Sequence, residues 1–340
     1  MAIDKYQQSV SLVLKVAYLY YIENKPQSEI AGMLGISITT VSRLLAKAKE
    51  DKIVEFVIRD PYIDCIRLEE QLRSRFHLKD IIIAPAMTSD DSIDSEMVEE
   101  NAKKLVAMEG ARYLQRVIKE NDVLGVTWGS TVYQMINYLN PSQKVKAKFV
   151  TLHGSIACCE NELDVRTLVS RMAKAFFGEN YYLLTEALMS SPQAAQIIKD
   201  EKNNQQVFHM FDRINISVSG IGSFYPDERS VLASPEFMSP EDLQSLKAQG
   251  VRGDLALRFF DQEGKECATS LSDRMIAISM EQFKRIPCKI SMVSGTSKAF
   301  TVLSALKGGL IDVLILDYKL AQEIQRLSED SSPEGTFDSL

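Results

Sequence analysis

The stretch Gln27-Ser-Glu-Ile-Ala-Gly-Met-Leu-Gly-Ile-Ser-Ile-Thr-Thr-Val-Ser-Arg-Leu-Leu-Ala46 has the pattern of a helix-turn-helix. Two helices that cross at a sharp turn need a small residue where they touch and a glycine where the chain bends, and Ala31 and Gly35 stand at those places. Apolar residues three or four apart would bury one face of each helix: Ile30, Leu34, Val41, Leu44 and Leu45. Pro26 suits the start of the first helix, and Ser37 can cap the second.

The outer face of the second predicted helix, residues 38–49, is polar and carries no acid before Glu50. With its cap it would present hydroxyl groups and cations: Ser37, Thr39, Thr40, Ser42, Arg43 and Lys47. A helix that enters the DNA major groove offers such groups to base edges and phosphates. An ordinary helical hairpin with a solvated basic face is the alternative. We expect a DNA-binding helix, because the apolar spacing, the turn glycine and the acid-free face coincide.

The composition is that of an ordinary globular protein long enough for two domains. The chain has 340 residues, of which 45% are hydrophobic and 25% are charged. No apolar run approaches the ~20 residues that span a bilayer, and the first ten residues lack a basic-then-apolar signal pattern. We therefore expect a cytoplasmic protein with no membrane partner.

The charge is distributed unevenly along the chain. The net charge is −7, yet residues 1–60 carry eight Lys/Arg and seven Asp/Glu, which leaves −8 on the remaining 280 residues. A near-neutral head with one basic helix on an acidic body suits a protein that touches DNA at one place. Because a single such head would bind DNA only modestly, the sequence predicts a dimer or a higher oligomer.

The cysteines and histidines do not form a metal-binding pattern. The five cysteines show no CxxC pair, and His77, His153 and His209 do not cluster with them. No structural zinc, other metal or cofactor is expected, and a reduced compartment is the simpler interpretation. The adjacent Cys158 and Cys159 are either a redox sensor or two buried apolar residues, and the second is favoured.

The chain divides into a small head and a larger body. Residues 8–23 have the pattern of an apolar helix behind the helix-turn-helix, and Ile53–Ile58 is a short β-like run that ends at Arg59-Asp60-Pro61. We place the domain boundary there, because proline disfavours continuation of a helix. The predicted domains are a DNA-binding domain over 1–60 and an effector-binding and oligomerisation domain over 61–327, which opens with a helix at 62–77. A polar, disordered tail is predicted over 328–340.

In the body, short apolar runs alternate with helical stretches. The predicted strands are Ile81–Pro85, Val123–Trp128, Phe149–Leu152, Tyr181–Leu184, Ile214–Ile221, Leu255–Phe260, Met275–Ile278, Ile290–Val293 and Val313–Leu316. The predicted helices between them include 96–120, 162–177, 239–248 and 297–307. This alternation predicts a mostly parallel α/β sheet that is covered on both faces.

The best candidate for a ligand site is Gly125-Val-Thr-Trp-Gly-Ser-Thr-Val132. A strand that ends in Gly129, Ser130 and Thr131 and continues into a helix places free backbone N–H groups and two hydroxyls at a helix N-terminus. That arrangement suits a phosphate, although a plain capped turn remains the alternative. The spacing matches neither common nucleotide-binding loop, so neither ATP nor NAD is indicated.

Further strand ends carry residues that could complete such a site. Ser219–Gly222 and Ser294–Lys298 are similar turns, and Lys298 could pair with a ligand anion. Asp254, at the edge of a predicted strand, can hold sugar hydroxyls or cap a turn. His153 follows another strand, with Asp164 and Arg166 farther along the chain. No catalytic triad or paired-carboxylate spacing is present.

Taken together, these residues resemble the SorC family of bacterial sugar-responsive transcription regulators, over residues 8–327. The head matches the family's pattern at Tyr20–Leu45. The body matches it in four blocks, namely Gly125–Thr131, Gly220–Gly222, Gly253-Asp254-Leu followed by Arg258-Phe-Phe-Asp261, and Gly295-Thr-Ser-Lys298 followed by Gly308-Gly309 and Asp312–Asp317. One departure is His153-Gly154-Ser155, where family members often have a Gly-Gly turn.

The resemblance implies an isomerase-like, Rossmann-type effector domain that senses a small phosphorylated sugar and does not turn it over. It places Gly129, Ser130 and Thr131 on the phosphate-binding turn, Asp254 on an acid that meets ligand hydroxyls, and Lys298 on a ligand contact. His153, Asp164 and Arg166 fall in segments around the pocket. It also favours a homotetramer made of two dimers.

The leading hypothesis is thus a transcription regulator, not an enzyme, whose affinity for operator DNA depends on a phosphorylated sugar. Its operator would have palindromic or repeated half-sites and control a carbohydrate-utilisation operon. A sugar-phosphate isomerase or deaminase with an accessory DNA-binding head is the alternative, disfavoured by the lack of an acid–base pair near the phosphate turn. A constitutive architectural DNA-binding protein would leave the body of the chain without a role.

Overall fold

The structure is a computed structural model that describes residues 2–54, 62–85, 95–141, 144–156 and 162–330, with residues 2–10 and 95 described in backbone only. The chain divides into two compact units, Met1–Asp60 and Pro61–Leu340. The pair Cys158 and Cys159, the segment Arg59–Pro61 and most of the predicted run Ile53–Ile58 lie outside the described residues.

The first unit consists of three helices: α1 (Ala2–Tyr21), α2 (Gln27–Leu34) and α3 (Ile38–Glu50). Their buried side chains form a small core, Val16, Leu19, Ile30, Ala31, Val41 and Leu45, and a second cluster of Val13, Ala17 and Ala48. The axes of α2 and α3 are bent by 105°, within the range of helix-turn-helix units. The helix-turn-helix predicted from the sequence is confirmed.

The turn between α2 and α3 depends on two residues. Gly35 ends α2 in the left-handed region, with φ of 64°, which glycine adopts without steric cost. Ser37 caps α3, since its side chain accepts a hydrogen bond from the backbone N–H of Thr40 at 3.1 Å. Both features are as the sequence predicts.

Among the described residues, no single helix combines the length and hydropathy of a membrane span. The helices α2 and α3 together reach that threshold on length and composition only, across their 105° bend.

The second unit alternates helices and strands along the chain. Its larger helices are α4 (Tyr62–Phe76), α5 (Ser95–Val117), α6 (Ser130–Asn137), α7 (Val165–Phe176), α8 (Pro192–Asp200), α9 (Lys202–Phe211), α10 (Pro240–Ala248), α11 (Met280–Arg285), α12 (Ala299–Lys307) and α13 (Tyr318–Asp330). Its strands are β1 (Asp80–Ala84), β2 (Val123–Val126), β3 (Lys148–Thr151), β4 (Glu179–Tyr181), β5 (Ile216–Ser219), β6 (Gly222–Ser223), β7 (Gly253–Leu255), β8 (Arg258–Phe260), β9 (Cys288–Val293) and β10 (Val313–Asp317).

Seven of these strands form one parallel sheet in the order β1-β10-β9-β5-β2-β3-β4. Side chains of β10 alternate between its two faces. Val313 and Ile315 join a core with residues of α5, α6 and α7, whereas Leu314 and Leu316 join a core with residues of α4, α12 and α13. Because both faces are covered, the strand is buried along its length. The predicted α/β class is confirmed.

The order of the strands creates a crevice beside β2. From β2 the chain continues outward to β3 and β4, then returns to β5 on the other side of β2. Loops that leave the carboxyl ends of β2 and β5 therefore diverge, and ligands of open α/β sheets bind at such points.

The predicted strand over Leu255–Phe260 is wrong. The segment forms an antiparallel hairpin of β7 and β8, which pairs with β6 in a separate sheet. Its two turn residues, Ala256 and Leu257, have φ of 51° and 64°, as a type I′ turn requires. A type I′ turn usually contains asparagine or glycine. Because this turn consists of two apolar residues, the sequence pattern does not indicate a hairpin here.

Three further predictions differ from the structure. Met275–Ile278 is buried but forms only isolated bridges, in which His153 faces Ala277 and Leu188 faces Met275. The strand expected at Tyr181–Leu184 lies earlier, at Glu179–Tyr181. The predicted disordered tail is wrong for residues 328–330, because α13 continues to Asp330. The rest of the tail lies outside the described residues.

Candidate functional site

The first candidate site is the outer face of α3. All six side chains predicted to meet DNA are exposed: Ser37, Thr39, Thr40, Ser42, Arg43 and Lys47. Two lysines lie in the last turn of α3 and no acid lies in its first turn. Within the described residues, no ion pair engages Arg43 or Lys47. Both cations are therefore available to DNA phosphates or base edges.

The second candidate site is a crevice at the carboxyl ends of β2 and β5. Its inner recess has a volume of about 150 Å³. The loop after β2, the loop after β5 and residues from four other segments line it: Thr127, Trp128, Gly129, Ser130, Thr131, Leu163, Gly220, Ile221, Gly222, Arg229, Ser230, Val231, Asp254, Ala256 and Lys298. Five sequence-predicted effector residues are thus brought together, namely Gly129, Ser130, Thr131, Asp254 and Lys298.

The loop after β2 provides backbone donors for an anion. Gly129 is the N-cap of α6 and makes no side-chain cap, and the first intrahelical bond runs from the N–H of Tyr133 to the carbonyl of Gly129 at 2.9 Å. The N–H groups of Ser130, Thr131 and Val132 therefore have no acceptor within the helix. Ser130 and Thr131 add their hydroxyls, and the positive end of the helix dipole favours an anion here.

Lys298 supplies the cation that faces this turn. Its Nζ donates to the carbonyl of Ile221 at 3.2 Å, which holds the ammonium group at the loop after β5. Burial lowers the pKa of Lys298, nearby Lys103 and Arg229 lower it further, and Asp254 opposes them. Lys103, which also pairs with Glu100 at 2.9 Å, and Arg229 thus lie close enough to act on the ammonium of Lys298, and a bound anion would favour its charged form.

Asp254 forms the polar floor of the recess. The side chain is buried, with Oδ1 accepting a hydrogen bond from Ser230 Oγ at 2.9 Å. Burial raises the pKa of Asp254 to about 6, although the Ser230 hydrogen bond and the charge of Lys298 oppose the shift. A Cβ on Gly222, which pairs with Asp254 across the small sheet, would lie 1.9 Å from Oδ1. Gly222 therefore makes room for this carboxyl group.

An outer cavity of about 810 Å³ adjoins the recess and shares Ser130, Thr131, Arg229 and Lys298 with it. The turn after β9 lines it with Ser294, Gly295 and Ser297, and the first turns of α5 form the rest of the wall: Glu96, Met97, Glu99, Glu100, Asn101, Lys103 and Lys104. The four shared residues are hydroxyls and cations, so the strongest anion-binding groups lie where the two spaces meet. Such a volume accommodates a small ligand.

His153 was predicted to contact the effector, but the structure does not place it in the recess. Its side chain is completely buried behind the loop after β2. Nε2 accepts a hydrogen bond from the backbone N–H of Trp128 at 3.0 Å, and Nδ1 lies 2.7 Å from the carbonyl of Gly154. Burial lowers the pKa of His153 to about 4, against the Gly154 hydrogen bond and the charge of Asp164. The imidazole is therefore neutral and supports the turn from behind.

Asp164 and Arg166 also lie outside the recess, although Leu163 lines it. Asp164 caps α7 and accepts from both the backbone N–H and Nε of Arg166, at 2.9 and 3.0 Å. The guanidinium lies in a separate open groove along α7, with Arg171, Lys174 and Tyr182. Because the helix N-terminus uses the carboxylate of Asp164, this pair stabilises α7 and does not face the crevice.

Sequence reasoning missed residues of the recess that lie outside the strand-end turns, among them Leu163 and the segment Arg229–Val231. Arg229 is exposed and lines both spaces, and its loop has no periodic pattern that could have identified it. Trp128, which lies directly before Gly129, is the only tryptophan of the chain. It lies within Gly125–Val132, the stretch predicted from the sequence as the best candidate for a ligand site.

The arrangement can bind a ligand that carries an anionic group and hydroxyl groups. Helix N–H groups and Lys298 suit the anion, while Asp254 can accept from hydroxyls. Among the described residues, no group of three or more His, Cys, Asp or Glu side chains could hold a metal ion.

Comparison with known proteins agrees with this two-part organisation. Residues 60–326 match the Sugar-bind family model, which describes a sugar-binding domain, and residues 15–51 match the model of sigma-70 region 4. The sorbitol operon regulator of Klebsiella pneumoniae is 28% identical, over 92% of this chain and 97% of that protein. The deoxyribonucleoside regulator of Bacillus subtilis is 27% identical, over 94% of this chain and 98% of that protein.

A solved structure shows the same two-part organisation over nearly the full length of this chain. The crystal structure of the full-length regulator SorC from Klebsiella pneumoniae matches with a TM-score of 0.71 and 28% identity, over 93% of this chain and 98% of that chain. These relatives are transcription regulators and not isomerases or deaminases, which argues against the enzymatic alternative. With a helix-turn-helix in its first unit and a sugar-binding domain over most of its length, this chain belongs to the SorC family of sugar-responsive transcription regulators.

Proposed function

We propose that the protein binds operator DNA through α3 and that a small phosphorylated sugar, bound in the crevice of the second unit, changes its DNA affinity. In this proposal it acts in the cytoplasm and controls a carbohydrate-utilisation operon. The names of its relatives, which include sorbitol and deoxyribonucleoside regulators, support this class of target.

The observation that carries the proposal is the joining of two kinds of group in one crevice. Helix N–H groups, the hydroxyls of Ser130 and Thr131 and the ammonium of Lys298 form the end of the crevice that would bind an anion. The buried carboxyl of Asp254 forms the other end, with Oδ1 engaged by Ser230 and a second oxygen left for ligand hydroxyls. A phosphorylated sugar or polyol carries both complementary groups.

The DNA side of the proposal requires more than one copy of the chain. One helix-turn-helix reads only a few base pairs, and residues 1–60 carry a net charge of only +1. We therefore propose a homotetramer made of two dimers, which binds palindromic or repeated half-sites. The ligand changes DNA affinity only if it binds the DNA-competent and released arrangements unequally.

Calorimetry against phosphorylated pentoses, hexoses and polyols, each beside its unphosphorylated counterpart, tests the effector. We expect one phosphorylated compound to bind and its unphosphorylated form to bind at least tenfold more weakly. The same compound should change the anisotropy of a labelled duplex from the region upstream of the neighbouring genes. Equal affinity for the phosphorylated and unphosphorylated forms of the sugar would disprove the proposed phosphate-binding site.

A further inference from the structure

Ile38 occupies the first position of α3 and is an apolar side chain in a polar setting. It is 54% exposed, whereas the other large apolar residues of this helix, Val41, Leu44 and Leu45, are buried or half-buried in the core of the first unit. A single exposed apolar residue is common on a protein surface. Ile38 is informative because it lies at the start of α3, the helix proposed to bind DNA.

The polar groups around Ile38 are engaged with one another. Ser37 Oγ lies 2.8 Å from the hydroxyl of Thr40 and 3.4 Å from that of Thr39, and it accepts the backbone N–H of Thr40. These contacts fix the first turn of α3. They also leave the branched side chain of Ile38 as the apolar part of that turn.

Helix geometry places Ile38 at the border between the polar and the buried face of α3. Residues four apart on a helix lie one above the other, so Ile38 lies next to the exposed Ser42 on one side, with the buried Val41 and Leu45 on the other. In helix-turn-helix proteins, the N-terminal residues of the second helix contact base edges in the major groove. In the proposed complex, Ile38 therefore lies at the end of α3 that enters the DNA major groove.

The major groove offers one apolar group to such a side chain, the C5-methyl of thymine. Opposite cytosine, isoleucine would instead cover the N4 amino donor without accepting its hydrogen bond, which is unfavourable. We propose that Ile38 is a specificity-determining residue that contacts a thymine methyl group in each half-site. This inference rests on the proposed binding of DNA through α3.

The test uses the full-length protein and a duplex selected from random DNA by its binding to the wild-type protein. Each thymine of the half-site is replaced in turn by deoxyuridine, which lacks only the methyl group, and affinity is measured by fluorescence anisotropy at fixed salt. At one position, the wild type should lose roughly fourfold in affinity for each methyl removed. For Ile38→Ala the two duplexes should bind with equal affinity.

Leu14→Ala is the matched control, since Leu14 is 55% exposed and lies on α1. It should keep the wild-type preference for thymine over uracil. Ile38→Val, which keeps the branched shape, should retain part of the preference and serves if the alanine variant is unstable.

The outcomes separate the two hypotheses. If no duplex is selected, binding of DNA through α3 fails and this inference fails with it. If a duplex is selected but the wild type binds thymine and uracil equally at every position, the role of Ile38 alone is disproved. The same conclusion follows if Ile38→Ala retains the full preference.

Discussion

The backbone N–H of Trp128 donates to Nε2 of His153 at 3.0 Å, and this hydrogen bond ties the loop after β2 to the end of β3. Since Nε2 accepts, a neutral imidazole carries its proton on Nδ1, which faces the carbonyl of Gly154 at 2.7 Å. The buried histidine therefore fixes one side of the anion-binding turn without facing the recess.

A pair of variants at position 153 tests this supporting role. Glutamine can present an acceptor where Nε2 lies, whereas methionine fills similar space and leaves the Trp128 N–H unpaired. We expect His153→Met to weaken effector binding by about tenfold or more, and His153→Gln to recover much of the loss. The fluorescence of Trp128 reports binding directly. Equal affinities for the two variants, at equal thermal stability, would contradict a positioning role.

Removal of the anion-binding groups should weaken the response to the effector while leaving DNA binding unchanged. Lys298→Met removes a charge-assisted hydrogen bond and should raise the Kd for the phosphorylated sugar by about tenfold or more. Thr131→Val removes one hydroxyl and should raise the same Kd by between about twofold and tenfold. Lys307→Met, at the far end of α12, the helix that Lys298 precedes, is the control and should bind the sugar like the wild type. Calorimetry measures all three.

The two cations of α3 should affect DNA binding differently. Arg43→Ala should cost about 1–3 kcal/mol at one base pair of the operator if Arg43 contacts a base, and it should relax the preference there. Lys47→Ala should weaken binding to all sequences alike and reduce the salt slope by about one unit. Anisotropy titrations at several salt concentrations distinguish the two effects. Wild-type affinity and salt slope in both variants would exclude α3 as the DNA-reading helix.

Asp254 should make the stability of the second unit depend on pH. Burial raises its pKa to about 6 from 3.8, against the Ser230 hydrogen bond and the charge of Lys298, so the folded protein holds this proton more tightly than the unfolded chain. The contribution of Asp254 to stability is therefore greatest below about pH 4 and is lost as the pH rises through about 6. Relative to Asp254→Asn, the wild type should lose on the order of 3 kcal/mol of unfolding free energy across this range.

Denaturant titrations at several pH values measure that difference. Asp227→Asn, which changes an exposed carboxylate in the loop after β6, is the control and should show no such trend. A wild-type advantage that grows with pH would contradict the assignment.

The assembly proposed for DNA binding is tested by sedimentation. At micromolar concentration the protein should sediment as a tetramer, and its complex should contain DNA with two half-sites about one helical turn, or multiples of it, apart. A monomer both with and without DNA would disprove the model of cooperating heads.

The parts of the fold that follow regular periodicity could be predicted from the sequence. Ile30, Val41 and Leu45 mark the buried faces of α2 and α3, and the continuous apolar run Val313–Leu316 marks a strand covered on both sides. The hairpin at residues 253–260 could not be predicted in this way. Its turn is the pair Ala256 and Leu257, whose positive φ values are imposed by the surrounding packing and not by their residue type.

The same contrast holds for the crevice. Gly129–Thr131 and Lys298 lie in short polar turns after strands, so both the residues and their meeting at one edge of the sheet could be expected. Arg229 reaches the crevice from an irregular loop, and sequence spacing carries no information about it. His153 has the residue type of a ligand contact, and only the three-dimensional path of the chain shows that it faces the backbone of Trp128.

The strand order has a consequence for the synthesis of the protein. Among the described residues, the edge strand β1, at residues 80–84, pairs with β10, at residues 313–317, and with no other strand. During translation, β1 therefore waits for its partner until residues 313–317 have been made. The described core of the first unit, in contrast, is built from residues 13–54. A nascent chain thus gains the helices proposed to read DNA well before the last strand of the domain proposed to sense the sugar, and premature termination before β10 would separate the first from a complete second unit.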